Sequence, residues 1–192
     1  MKKIKTFYIA FALLIFLNFS CRKENSIDEQ ALTPGTPGTW VQKNDFPANE
    51  RTAAMSFVIN NKAYVFGGTT NDNSTFFKDV WQYNPANDSW LKKQPLPDGK
   101  ERFWTDCFLL KNRIFITGGG VSVNNQFDML SDVLEYDIKN NKWIEQTSLP
   151  DGKNRMAHCS FVVDIKAYIT AGVHDLNVNP TINFKDVWEF KL

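Results

Sequence analysis
The chain has 192 residues, a formal net charge of +1 and 14% aromatic residues. Near-neutral charge without a basic cluster excludes nucleic acid as a partner. Three cysteines and two histidines supply neither a disulfide framework nor metal-ligand spacing, so no metal or cofactor is expected.

The chain opens with a leader. Lys2, Lys3 and Lys5 precede an apolar run, Phe7–Leu17, that is too short to span a bilayer and suits a signal peptide over residues 1–20. Ser20-Cys21 resembles the lipobox of bacterial lipoproteins, although Asn18 and Phe19 stand where that motif prefers an aliphatic and a small residue. The resemblance implies acylation at Cys21, secretion across the inner membrane and anchoring to the bacterial cell envelope. An ordinary cleaved signal, with Cys21 incidental, is the competing reading. Residues 21–38 are polar and end in Thr33-Pro34-Gly35-Thr36-Pro37-Gly38, which reads as a flexible tether.

Residues 39–192 change character. Short apolar and aromatic runs alternate with Asn, Asp, Gly and Pro clusters, which predicts an all-β domain. One pattern recurs three times. Arg51, Arg102 and Arg155 each precede an apolar strand beginning near Met55, Asp106 and Cys159. A tight turn leads to a second strand ending at Gly67-Gly68, Gly118-Gly119 and Ala171-Gly172. A third strand starts at Asp79-Val80, Asp132-Val133 and Asp186-Val187. The fourth starts at Trp90 and Trp143, and Trp40 opens a run of the same kind before the first arginine. The second glycines lie 51 and 53 residues apart, a period of propeller size.

These residues resemble the kelch repeat. The resemblance implies a β-propeller of three four-stranded antiparallel blades, with the N-terminal strand Trp40–Phe46 completing the last blade. Closed propellers carry about four to eight blades. A second copy, or further blades, is therefore expected to close the ring.

Strand parity places the loops Pro47–Arg51, Pro97–Arg102 and Pro150–Arg155 at one end. The longer loops Thr69–Lys78, Gly120–Ser131 and Val173–Lys185 share that end. Candidate binding residues there are Arg51, Arg102, Trp104, Arg155 and His158. The recurrence of the arginines also suits a structural role. His158 and Cys159 are strand neighbours pointing to opposite faces, so they do not make a ligand pair. Asn71-Asp72-Asn73 reads as a plain turn, and Cys107 and Cys159 are out of register for a disulfide.

No catalytic set is complete. The expected function is a non-catalytic binding or scaffolding module that takes a protein or glycan at the envelope, anchored to the membrane by lipid. The alternative is a truncated or split copy of a kelch-type sugar enzyme resembling a sialic acid epimerase, for which Arg51, Arg102, Glu101 and Asp106 supply only part of the polar groups.

Overall fold
The structure is a computed structural model that describes residues 35, 37–123, 126–175 and 181–192. The leader, Cys21 and most of the tether lie outside the described residues. Gln42–Leu192 forms one compact unit. Residues 37–41 belong to the other unit and carry no regular structure, with Trp40 and Val41 exposed.

Among the described residues every regular element is a strand. Blade one comprises β1 (Met55–Ile59), β2 (Lys62–Phe66), β3 (Val80–Asn84) and β4 (Ser89–Lys93), paired in that order. Blade two comprises β5 (Asp106–Leu110), β6 (Arg113–Thr117), β9 (Val133–Asp137) and β10 (Lys142–Gln146). A hairpin of β7 (Gly120–Val123) and β8 (Gln126–Met129) stands between its second and third strands. Blade three comprises β11 (Cys159–Val163), β12 (Lys166–Thr170) and β15 (Val187–Phe190). The short pair β13 (Val173–Asp175) and β14 (Ile182–Asn183) occupies the hairpin's place there. All pairings are antiparallel. The first two hairpins turn on Asn60-Asn61 and Lys111-Asn112, all four at positive φ, which matches strand twist and suits asparagine.

Two expectations need correction. The third blade has three strands, because residues 42–46 carry no strand pairing and β15 has no outer neighbour among the described residues. The long loops of blades two and three are partly strands themselves.

The blades stack through alternating faces. Phe57, Ile59, Tyr64 and Phe66 of blade one pack against Ile114, Ile116, Leu134 and Tyr136 of blade two. The opposite face of blade two, Phe108, Leu110, Phe115 and Val133, packs against Ala167 and Ile169 of blade three. The middle blade is therefore covered on both sides, and its strand β6 carries the continuous apolar run Ile114-Phe115-Ile116.

The glycine pairs serve this stacking. Gly68, Gly119 and Gly172 sit at φ of 93°, 103° and 94°, beyond the left-handed region open to other residues. The preceding residues sit at 65°, 56° and 60°, which Ala171 can adopt. What bars a side chain at Gly67 and Gly118 is the next blade. A Cβ there would meet the carbonyl oxygen of Arg102 or of Arg155. The same carbonyls accept from the Gly68 and Gly119 N–H at 2.9 and 2.8 Å.

Candidate functional site: the loop face
The arginines anchor each blade's loop end. Arg102 donates from Nε to the Lys100 carbonyl at 3.0 Å and from Nη1 to the Gly118 carbonyl at 3.1 Å. Its fork then grips Asp132 at 3.0 and 2.9 Å. Arg51 repeats this on Asn49, Gly67 and Asp79, and Arg155 on Lys153, Ala171 and Asp186. Arg102 and Arg155 are fully buried. Burial would raise the Asp132 carboxyl, but hydrogen bonds and charge from Arg102 and then Lys100 outweigh it and hold it below the usual carboxylate range. The three expected ligand arginines thus turn inward and spend their donors on the fold. The partner aspartates recur in the same sequence register, which was the signal for this role.

Past the arginines the chain crosses the end of each first strand. Ala53, Trp104 and Ala157 align there, at φ of 53°, 46° and 51°. The Trp104 N–H donates to the Ala53 carbonyl at 3.2 Å, and the Ala157 N–H to the Trp104 carbonyl at 2.8 Å. These bonds form a row from blade to blade. Alanine adopts this conformation with modest strain, whereas for a bulky side chain it is an outlier of the kind that clusters at functional sites. Trp104 is also 46% exposed, with its ring tilted against Phe103 at 5.4 Å between ring centroids. Beneath it Phe103, Met129 and Met156 form a small core that Phe76 and Phe127 help to cover.

One position further on stand Ala54, Thr105 and His158. The Thr105 hydroxyl donates to the carbonyls of Thr117 and Gly118 at 2.7 and 3.1 Å. His158 fills the same place in blade three, nearly buried, with neither ring nitrogen hydrogen-bonded among the described residues. Burial pushes its pKa down to about 4; Asp106 opposes that shift and Arg155 adds to it. The unfolded value is about 6.5, so the unfolded chain binds the extra proton between the two. Stability is therefore flat above pH 6.5 and falls as pH drops towards 4, by about 3 kcal/mol from this group. Chemical denaturation of His158→Thr against wild type at several pH values checks this. The variant should lose that part of the slope, and parallel profiles would refute it.

The loop face also holds an open concavity of about 540 Å³ lined by Asn49, Glu50, Arg51, Thr52, Thr70 and Asn71. Asp72 closes the adjoining turn by accepting from Thr70 Oγ1, Ser74 Oγ and Ser74 N–H at 2.6, 2.8 and 3.1 Å, so this stretch is a turn as expected. Of the groups named for an epimerase, Asp106 accepts from the Cys107 and Ser160 amides, and Glu101 lies 3.8 Å from Lys78. Cys107 and Cys159 are both free thiols, and burial pushes Cys107 up to about 12.

Repeated arginine-anchored four-stranded blades stacked through glycine-lined seams define a kelch-type propeller. A family model described as the KLHDC2/KLHL20/DRC7 Kelch-repeats domain matches residues 33–192, and the chain belongs to this kelch-repeat family. It is 29% identical over 161 residues to Kelch-like protein 25 of Xenopus tropicalis, covering 81% of this chain and 26% of that protein. It is 27% identical over 117 residues to Kelch-like protein terF of Aspergillus terreus, covering 59% and 25%. A third relative, N-acetylneuraminate epimerase of Salmonella typhi, is 31% identical over 84 residues, covering 42% and 22%. The chain thus spans about a quarter of the length of these curated relatives. Kelch domains generally bind proteins.

Proposed function
We propose that this chain is a non-catalytic kelch module, displayed at the bacterial cell envelope, whose loop face binds a protein. The observation that carries the reading is Trp104. It places a half-exposed aromatic in a left-handed backbone site where the other two blades use alanine. An exposed, rigid tryptophan beside long loops is the usual anchor of a binding surface. A glycan is the second reading, favoured by the polar lining of the concavity beside Arg51 and by the sugar named in the Salmonella relative, N-acetylneuraminate epimerase. The epimerase alternative is less well supported, since the arginine forks it would use already hold Asp79 and Asp132.

Trp104→Ala tests the site. An exposed residue that only contacts a ligand should change stability by no more than about 0.5 kcal/mol, which is at most about 2 °C in Tm. Cross-linking to envelope proteins and glycan-array binding should both be scored, and the signal carried by this face should disappear. A drop in Tm of several degrees would instead make Trp104 a packing residue. Envelope display rests on the leader and on Cys21. Cys21→Ser should shift the protein from the membrane fraction to the soluble one, and identical partitioning refutes the anchor.

A further inference from the structure
Each internal seam is built from the same three rings. Phe57 and Tyr64 stack at 4.8 Å, and Tyr136 of the next blade closes over them at 6.4 and 5.8 Å. Phe108 and Phe115 stack at 5.3 Å, and Phe190 closes over them at 5.7 and 5.3 Å. Blade three repeats the stack with Phe161 and Tyr168 at 5.4 Å, yet no ring among the described residues closes over it. Phe161 is 45% exposed where Phe57 and Phe108 are 8% and 5%, and Val187 is 60% exposed where Val80 and Val133 are 0% and 2%. At the other end, blade one presents Tyr83 in the register of Tyr136 and Phe190, on a face where Val58 is exposed. One end has the socket and the other has the ring.

A second observation points the same way. Beyond β4 the chain is latched onto blade two: Trp143 Nε1 donates to the Gln94 carbonyl at 3.2 Å, and the Gln94 N–H to Asn141 at 3.1 Å. Blade one carries an identical latch, with Trp90 Nε1 on the Asn44 carbonyl at 3.3 Å and the Asn44 N–H on Asp88 at 3.1 Å. Asn44 therefore stands where a fourth strand of a preceding blade would end. Residues 39–43, aligned with β4 and β10, are unpaired. Among the described residues the outer edge of β15 is unpaired too, beside a groove of about 290 Å³ lined by Trp188, Phe190, Leu149 and Pro150.

We propose that a second copy of this chain closes the ring. Blade one of each copy packs on blade three of the other, Tyr83 seats on the Phe161–Tyr168 stack, and residues 39–43 add to β15 as its fourth strand. The added strand satisfies an open sheet edge. The contact is head-to-tail, and two copies related by a half-turn make it twice, which closes six blades without an open end. One residue sets this seam apart. Ala171 stands where Gly67 and Gly118 meet the carbonyl of the next arginine, so its methyl faces Arg51 of the second copy.

The test uses the full chain extracted in mild detergent and measured by native mass spectrometry. Wild type should be a dimer. Val58→Arg and Val187→Arg alter exposed positions on the two open faces, so each should fold, with an unchanged circular dichroism spectrum, and be monomeric. Mixing the two variants should restore a weaker dimer, because one seam then joins two unaltered faces. Ala171→Gly should tighten the wild-type dimer. A monomeric wild type, open-ended growth with concentration, a dimer lost in only one variant, or a mixture that stays monomeric would each overturn the proposal.

Discussion

Arg102→Met should destabilise the protein by about 3–5 kcal/mol, a large part of the total stability of an ordinary domain. Methionine keeps the volume of the side chain but leaves the Lys100 carbonyl without its side-chain donor, the Gly118 carbonyl with the Thr105 hydroxyl instead of two donors, and Asp132 without its fork. The residue is fully buried, so water does not replace those bonds. Lys100 stays 2.9 Å from Asp132, which keeps the loss towards the lower end. Arg102→Lys should recover little, because an ammonium cannot reach two carbonyls and both carboxylate oxygens at once. Urea denaturation measures both variants. Wild-type stability in either would mean that the guanidinium is dispensable to the blade and would return it to the list of ligand contacts. The acid limb carries a second check. Asp132 is held below its ordinary range, so its contribution is present above the unfolded carboxylate pKa of about 3.9 and is lost as pH falls below it. In Arg102→Met that limb should move to higher pH.

Much of this architecture is legible in the amino-acid order. A strand register repeated every fifty-odd residues leaves one reading, and the alternation of faces then follows from strand period. The arginine role was half legible. Asp79, Asp132 and Asp186 recur beside the arginines, but a guanidinium aimed at a ligand and one aimed at a carboxylate look alike until the chain is folded. The β7–β8 hairpin was written as Val121-Ser-Val, Asn124-Asn125, Gln-Phe127-Asp-Met129, an alternating pattern around an asparagine pair. The repeat assigns that interval to a connection between second and third strands, so its period alone does not reveal the hairpin. The strand at Trp40–Phe46 failed for a different reason. Its sequence is that of a fourth strand, but a strand needs an edge to pair with, and only the latch at Asn44 is satisfied within blade one. Trp104 was visible as a break in the repeat. Its left-handed backbone was not, since alanine at the two equivalent positions does not by itself call for a positive φ.

Equivalent positions in different blades should respond to the same substitution very differently. Phe108 and Phe161 occupy the same register on the same face of blades two and three, each stacked on the ring of the neighbouring second strand. Phe108 is 5% exposed because blade three covers it, whereas Phe161 is 45% exposed. Phe108→Ala should cost about 3–5 kcal/mol, the transfer of a buried ring plus the cavity left between two sheets that cannot collapse onto it. Phe161→Ala in dilute protein should cost about 1 kcal/mol, the worth of one aromatic pair with little burial to lose. Thermal melts of the two variants at low concentration read the difference directly, and equal losses there would mean that face exposure in the single chain does not govern the energetics. Repeating the melts as concentration rises separates the single blade face from the closed ring. Once a second copy covers Phe161, its truncation removes an interface ring as well as an intramolecular one. Stability linked to association depends on concentration. The cost at Phe161 should then climb towards that at Phe108, while the cost at Phe108, already covered within its own chain, stays where it was.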